Sequence, residues 1–182
     1  MVVTLIGYRA SGKSSVAPRL ARRLGWNWVD CDRVIEQRSG MTIARIFETE
    51  GEAGFRQRES EILAELLLQP HQVIATGGGA ILSADNRQRM RAAGPVVWLH
   101  ATVETLARRL NPERAGSAAR PSLTGKPIDQ EVADVLAVRE PLYRSTATLI
   151  VHSDGEPADQ VARRIHRHLE ETLRQEPRHD AV

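Results

Sequence analysis

Val2-Val3-Thr4-Leu5-Ile6-Gly7-Tyr8-Arg9-Ala10-Ser11-Gly12-Lys13-Ser14-Ser15 begins as an apolar, largely β-branched run, turns at Gly7, and takes up a helical pattern near Lys13. Gly7, Gly12, Lys13 and Ser14 complete the spacing G-x-x-x-x-G-K-S between the two. Strand, glycine turn and helix N-terminus together form a phosphate cradle: backbone N–H groups point inward and the helix start adds partial positive charge. Lys13 supplies a point charge for the outer phosphates, and Ser14 offers a hydroxyl to Mg²⁺, a hard ion that prefers oxygen. The nucleotide-contacting set is therefore expected at Ala10, Ser11, Gly12, Lys13, Ser14 and Ser15. Composition agrees. Of 25 Lys+Arg residues only Lys13 and Lys126 are lysine. A chain that otherwise uses arginine keeps lysine where a slim ammonium must enter the cradle.

The 182 residues suit one domain, and 41% hydrophobic with 26% charged residues is ordinary for a globular protein. The pI near 9.1 invites a nucleic-acid reading, but the formal charge is only +2 and the arginines are spread over several helices. No nucleic-acid partner is expected. Cys31 is the single cysteine, so neither an internal disulfide nor a cysteine zinc cluster can form. No apolar stretch reaches the roughly 18 residues of a membrane span, and the chain opens directly into a strand. A cytoplasmic protein without a membrane partner is expected.

Further along, strands are predicted at Asn27–Val29, Gln72–Ala75, Val96–Leu99 and Thr148–Val151. Helices are predicted at Ser15–Leu24, Arg33–Arg38, from an N-cap at Thr42, at Arg56–Leu68 after breaks at Gly51 and Gly54, and at Ser83–Ala93, Val103–Leu110, Ile128–Tyr143 and Ala158–Leu173. This alternation predicts an α/β fold: a five-stranded parallel sheet with helices on both faces and ligands at the carboxyl ends of the strands. Residues 111–126 carry Pro and Gly breakers without periodicity, and read as a mobile lid loop. The domain spans 1–173, and 174–182 reads as a flexible tail. The three tryptophans read as core, Cys31 as a packed small residue, and the six histidines as scattered.

Three polar groups fall on one rim of this sheet: the phosphate loop after strand 1, Asp30 and Asp32 after strand 2, and Gly77-Gly78-Gly79 after strand 3. Two carboxylates beside a phosphate loop can divide their work, one orienting Mg²⁺ through water and one accepting from a substrate hydroxyl. In many P-loop proteins the metal-orienting Asp ends a later strand. Strand 3 here ends in Thr76 and glycines, which leaves Asp30 as the candidate. Arg58 reads as a surface charge.

In order and spacing, the phosphate loop, Asp30-x-Asp32, Phe55-Arg56-x-x-Glu59, Gly77-Gly78-Gly79, Arg120-Pro121-x-Leu123 and Arg139-x-Pro141-Leu142-Tyr143 together resemble the shikimate kinase family, from Val2 to about Leu173. The resemblance implies a P-loop NTPase of the nucleoside monophosphate kinase-like fold. It also implies ATP as co-substrate, Mg²⁺ as cofactor, phosphorylation of the shikimate 3-hydroxyl, and a monomer. Carried over residue by residue, Lys13, Asp32 and Arg120 are catalytic, with Arg120 closing on the ATP phosphates. Asp32, Arg56, Gly77, Gly78, Gly79 and Arg139 bind the substrate, the two arginines clamping its carboxylate. Ser14 ligates the metal, and Asp30 holds it through a water. Ala10 stands where the family often has glycine and Ser122 where leucine is usual. No arginine matches the one that the family places near adenine after strand 5, and His152 and Glu156 occupy that neighbourhood. The alternatives are another small-molecule kinase of the gluconate or nucleoside monophosphate type, or a silent nucleotide- or shikimate-binding regulator. A GTPase switch is disfavoured, because neither lysine sits in an Asn-Lys-x-Asp motif.

Overall fold

The computed structural model describes residues 1–111 and 126–175. Arg120 and all but the two ends of the expected lid (111–126), and residues 176–182 of the expected tail, lie outside the described residues. In chain order the elements are β1 (Val2–Ile6), α1 (Lys13–Leu24), β2 (Asn27–Asp30), α2 (Cys31–Ser39), α3 (Ile43–Leu67), β3 (Gln72–Ala75), a 3-10 turn (Ala80–Leu82), α4 (Ala84–Ala93), β4 (Val96–His100), α5 (Val103–Leu110), α6 (Ile128–Thr146), β5 (Leu149–His152) and α7 (Ala158–Gln175).

The strands form one parallel sheet in the order β2-β3-β1-β4-β5. β1 lies in the middle, flanked by β3 and β4, and every one of its residues is buried. Strand residues alternate between two cores because successive side chains leave opposite faces. Val2, Ile6, Ile74, Val96 and Trp98 pack with Ile35, Ile46, Phe55, Leu63, Met90 and Tyr143 under α2, α3, α4 and α6. Val3, Leu5, Val73, Val97 and Leu99 pack with Val16, Leu20, Val161 and Ile165 under α1 and α7. A smaller cluster of Tyr8, Ala101, Leu106, Leu110 and Val132 joins the phosphate-loop turn to α5 and α6. Helices thus cover both faces. Among the described residues no helix is long and apolar enough to cross a membrane.

Local signals set the boundaries. Thr42 caps α3 by accepting from the Arg45 N–H, and Ser83 caps α4 by accepting from that of Asn86. Two expectations change. Only Gly51 leaves helical geometry (φ 71°, ψ −176°), so α3 is one kinked element and Gly54 stays within it. Trp98 is buried and stacked on Tyr143 with centroids 5.6 Å apart, whereas Trp28 is 38% exposed because β2 is an edge strand.

Where β1 passes into the phosphate loop, the chain leaves no room for a side chain. Gly7 has φ +143°, and a Cβ there would lie 2.6 Å from the Leu99 carbonyl oxygen of β4. Backbone meets backbone, so neither partner can step aside. Gly7→Ala is expected to cost roughly 2–4 kcal/mol from strain plus overpacking. A loss below about 0.5 kcal/mol in urea unfolding, the scale of a neutral surface change, would overturn this account of the turn.

Candidate active site

The segments that follow β1, β2, β3 and β5 at their carboxyl ends line a cleft of about 390 Å³, on the rim of the sheet where the strand order reverses direction. Its walls include Ala10, Ser11, Gly12, Lys13, Ser14 and Ser15, and also Asp32 and Gly78. The nucleotide-type loop and the expected hydroxyl acceptor therefore share one space.

The loop is held from several sides. Lys13 is buried, and its Nζ donates to the carbonyls of Gly7 at 2.7 Å and Tyr8 at 2.9 Å. Ala10 is left-handed at φ 63°, which explains why a glycine suits this position and why alanine, the least bulky alternative, occupies it here. Arg109 on α5 donates to the Ala10 carbonyl at 3.1 Å and to the Ser153 carbonyl at 2.7 Å. Ser153 in turn donates through Oγ to the Ser11 carbonyl at 3.0 Å. Arg9 forms a buried ion pair with Glu131 on α6.

Asp30 and Asp32 have different surroundings. Asp30 caps α2: its Oδ1 accepts from the Asp32 N–H at 3.1 Å, while its Oδ2 accepts from Ser14 Oγ at 2.5 Å. This hydroxyl and carboxylate, bonded across the start of α1, form an all-oxygen donor pair that fits Mg²⁺. Asp32 faces the triple glycine instead. A Cβ on Gly77 would lie 2.4 Å from Glu59 Oε1 and 3.0 Å from Asp32 Oδ1; one on Gly79 would lie 2.4 Å from the Arg56 guanidinium. The glycines are needed for this close approach, not only for a turn. Arg56 Nη1 donates to Glu59 Oε2 at 2.5 Å, and Arg139 Nη1 donates to the Gly78 carbonyl at 3.2 Å. That carbonyl also accepts from Tyr143 Oη at 2.6 Å. Arg56, Arg139, Gly77 and Gly79 thus flank the Asp32 end rather than line the main cleft.

Arg58 pairs with Glu50, away from the site, as a surface charge should. Cys31 is buried, and burial pushes its thiol pKa well up, so it is a packed residue and not a nucleophile.

Two residues gain parts that sequence reasoning did not give them. Arg109 lines the phosphate-loop side of the cleft from α5, not from the segment after β5. Its position in Arg108-Arg109 on an amphipathic helix carries no sequence signal that separates it from its neighbour. Glu59 is 1% exposed, and among the described residues its Oε1 has no hydrogen-bond partner. Burial raises its pKa, Arg56 opposes the rise, and Asp32 adds to it. The Arg56-x-x-Glu59 spacing on one helix face was the available hint.

A phosphate loop, an oxygen-donor pair beside it, and a carboxylate flanked by arginines define a P-loop kinase of small molecules. A family model described as shikimate kinase matches residues 9–170. The chain belongs to the shikimate kinase family. It is 48% identical to shikimate kinase 2 of Sodalis glossinidius over 160 residues, covering 87% of this chain and 90% of that protein. It is 45% identical to shikimate kinase 2 of Yersinia pestis over 156 residues, covering 86% and 88%. The shikimate kinase of Acinetobacter baumannii, solved in complex with shikimate, superposes with a TM-score of 0.87 at 37% identity, covering 97% of this chain and 95% of that one. A gluconokinase of Sinorhizobium meliloti shares the fold at TM-score 0.56 and 17% identity.

The raised pKa of Glu59 has a sign that can be measured. Below its ordinary value of 4.5 the carboxyl is neutral in both folded and unfolded chains. Above it the unfolded chain ionises first, so the stability contributed by the neutral buried form is lost as pH rises through the native pKa. Glu59→Gln removes this titration. The melting temperature of the variant minus that of the wild type should rise between pH 4.5 and neutrality; a flat or falling difference would show that Glu59 is ionised at its ordinary value.

Proposed function

We propose that this kinase transfers the γ-phosphoryl group of ATP to the 3-hydroxyl of shikimate, giving ADP and shikimate 3-phosphate. The observation that carries the reading is the junction at Gly77–Gly79. There Asp32, within the cleft that holds the phosphate loop, reaches Gly77, while Arg56 lies at Gly79 and Arg139 on the Gly78 carbonyl, so a carboxylate and two guanidinium groups meet at one glycine run. The Acinetobacter relative, whose solved complex contains shikimate, supports the same substrate here.

Catalysis in this reading is mainly positioning and charge neutralisation. Arg56 and Arg139 fork onto the substrate carboxylate, and the Gly78 N–H adds a backbone contact. Asp32 orients the 3-hydroxyl and accepts its proton as the oxygen attacks the γ-phosphorus and ADP departs. The N–H groups of residues 10–15 wrap the phosphates, and Lys13 exchanges a loop carbonyl for a phosphate oxygen. Ser14 and Asp30 would hold Mg²⁺, Asp30 through a water, and the ion would supply neutralising charge at the phosphate oxygens. Arg109 presents its planar guanidinium at the end of the cleft where the base would lie. Arg120 acts as the arginine that closes on the phosphates, as the family resemblance implies. The enzyme works as a cytoplasmic monomer with no nucleic-acid or membrane partner.

ADP release measured with ATP, Mg²⁺ and shikimate, beside gluconate and a nucleoside monophosphate, tests the substrate. ADP formed only with shikimate is expected. Turnover on another acceptor alone, or none on any, would overturn the assignment. Arg139→Ala should raise the KM for shikimate roughly 10- to 100-fold by removing a charge-assisted pair, with a smaller effect on kcat. Asp32→Asn should lower kcat roughly 100- to 10,000-fold if it takes the proton. Equal changes in both parameters for both variants would assign these residues to folding instead.

A further inference from the structure

His100 closes β4 and His152 closes β5, and the parallel register pairs them directly. Side chains at paired positions leave the same face of the sheet, and here the ring centroids are 4.7 Å apart with planes at 68°. On its other side the His100 ring packs edge-on against Trp98 at 5.0 Å. Two residues past His152 the chain turns, and Asp154 Oδ1 accepts from the Thr102 backbone N–H at 2.9 Å and from Thr102 Oγ1 at 3.2 Å. One ring nitrogen of each histidine and one carboxylate oxygen of Asp154 lie within 4.8 Å of one another. His100 Nδ1 is buried and, among the described residues, has no hydrogen-bond partner.

We propose that His100, His152 and Asp154 form a site for a divalent transition-metal ion of the zinc type, separate from the oxygen pair of Ser14 and Asp30. Two imidazole nitrogens and one carboxylate oxygen are the donors such an ion takes in preference to Mg²⁺. A tetrahedral ion about 2.0–2.1 Å from each nitrogen needs its ligands roughly 3.3 Å apart. His152 is exposed, and its ring, edge-on to His100, would turn to bring the nitrogens to that spacing. Thr102 fixes the Asp154 carboxylate as outer hydrogen bonds do at metal centres. Nearby Arg144 is paired with Glu140 at 2.8 Å, so the ion would not face an uncompensated cation from α6.

The site is mechanically joined to the phosphate loop. Ser153, between two of the ligands, donates to the Ser11 carbonyl and accepts from Arg109. A bound ion would therefore pin the turn that braces the loop, and would stabilise the protein by mass action.

Titration of the full chain with Co²⁺, in excess Mg²⁺ to saturate the oxygen site, reads nitrogen coordination directly in the visible spectrum, with Zn²⁺ as competitor. One saturable equivalent displaced by Zn²⁺ is expected. His152→Ala and Asp154→Asn should each weaken it about tenfold or more. His166→Ala, which alters the other histidine–carboxylate pair on α7 (3.7 Å to Glu170), should leave the titration unchanged. No saturable binding, an unaltered titration in His152→Ala, or a loss confined to His166→Ala would each overturn the proposal.

Discussion

The whole site depends on a backbone contact that excludes a side chain: Gly7 at the end of β1 set against the Leu99 carbonyl of β4. That contact turns the chain out of the sheet into the phosphate loop that walls the cleft. A loop outside strand and helix lacks their regular ladder of backbone partners. The surrounding elements hold it in place. The Lys13 ammonium is bonded to two loop carbonyls, Arg109 and Ser153 tie the loop's outer edge to α5 and to the turn after β5, and the buried Arg9–Glu131 pair fixes it to α6. A preorganised cradle follows from four separate parts of the chain meeting at one turn.

Three carboxylates stand close to this turn, and environment separates their work. Asp30 accepts from backbone N–H at the start of α2 and from the Ser14 hydroxyl, a polar setting beside the phosphate loop. Glu59 is buried with one oxygen bonded by Arg56 and the other unpartnered among the described residues, a setting that favours the proton. Asp32 lies between them at the cleft wall. Arg56 and Arg139 bring two positive charges to the Asp32 end of the cleft, and the Glu59 carboxyl, its pKa raised by burial, steadies Arg56 through Oε2.

Much of this was legible before any coordinates. β-Branched runs, capping residues and the G-x-x-x-x-G-K-S spacing act locally, so β1, α1, the cap at Thr42 and the parallel sheet follow from short stretches of chain. Parallel connectivity then puts every strand's carboxyl end on one rim, which is why Asp30, Asp32 and Gly77–Gly79 could be assigned to one site. The features that escaped depend on long-range contacts. Arg109 reaches the phosphate loop through carbonyls at positions 10 and 153, and no local pattern marks it against Arg108. Trp28 looked like core because it is aromatic and in a strand, but only the strand order makes β2 an edge. Gly54 stays helical while Gly51 does not, although both are glycine in the same polar run.

The histidines show the same limit in a different chemistry. Spaced 52 positions apart in sequence, His100 and His152 become neighbours only through the register of β4 with β5. That register leaves two donor sets on one rim of the sheet, oxygen only at Ser14 and Asp30, nitrogen-rich at His100 and His152. A hard, reluctantly dehydrated ion is held poorly by imidazole, and a borderline ion is held better by imidazole than by a hydroxyl and one carboxylate. The two sets therefore sort ions by chemistry rather than by distance. An ion at the second set would act on the phosphate loop only through the Ser153 turn, as a brace and not as a participant in phosphoryl transfer.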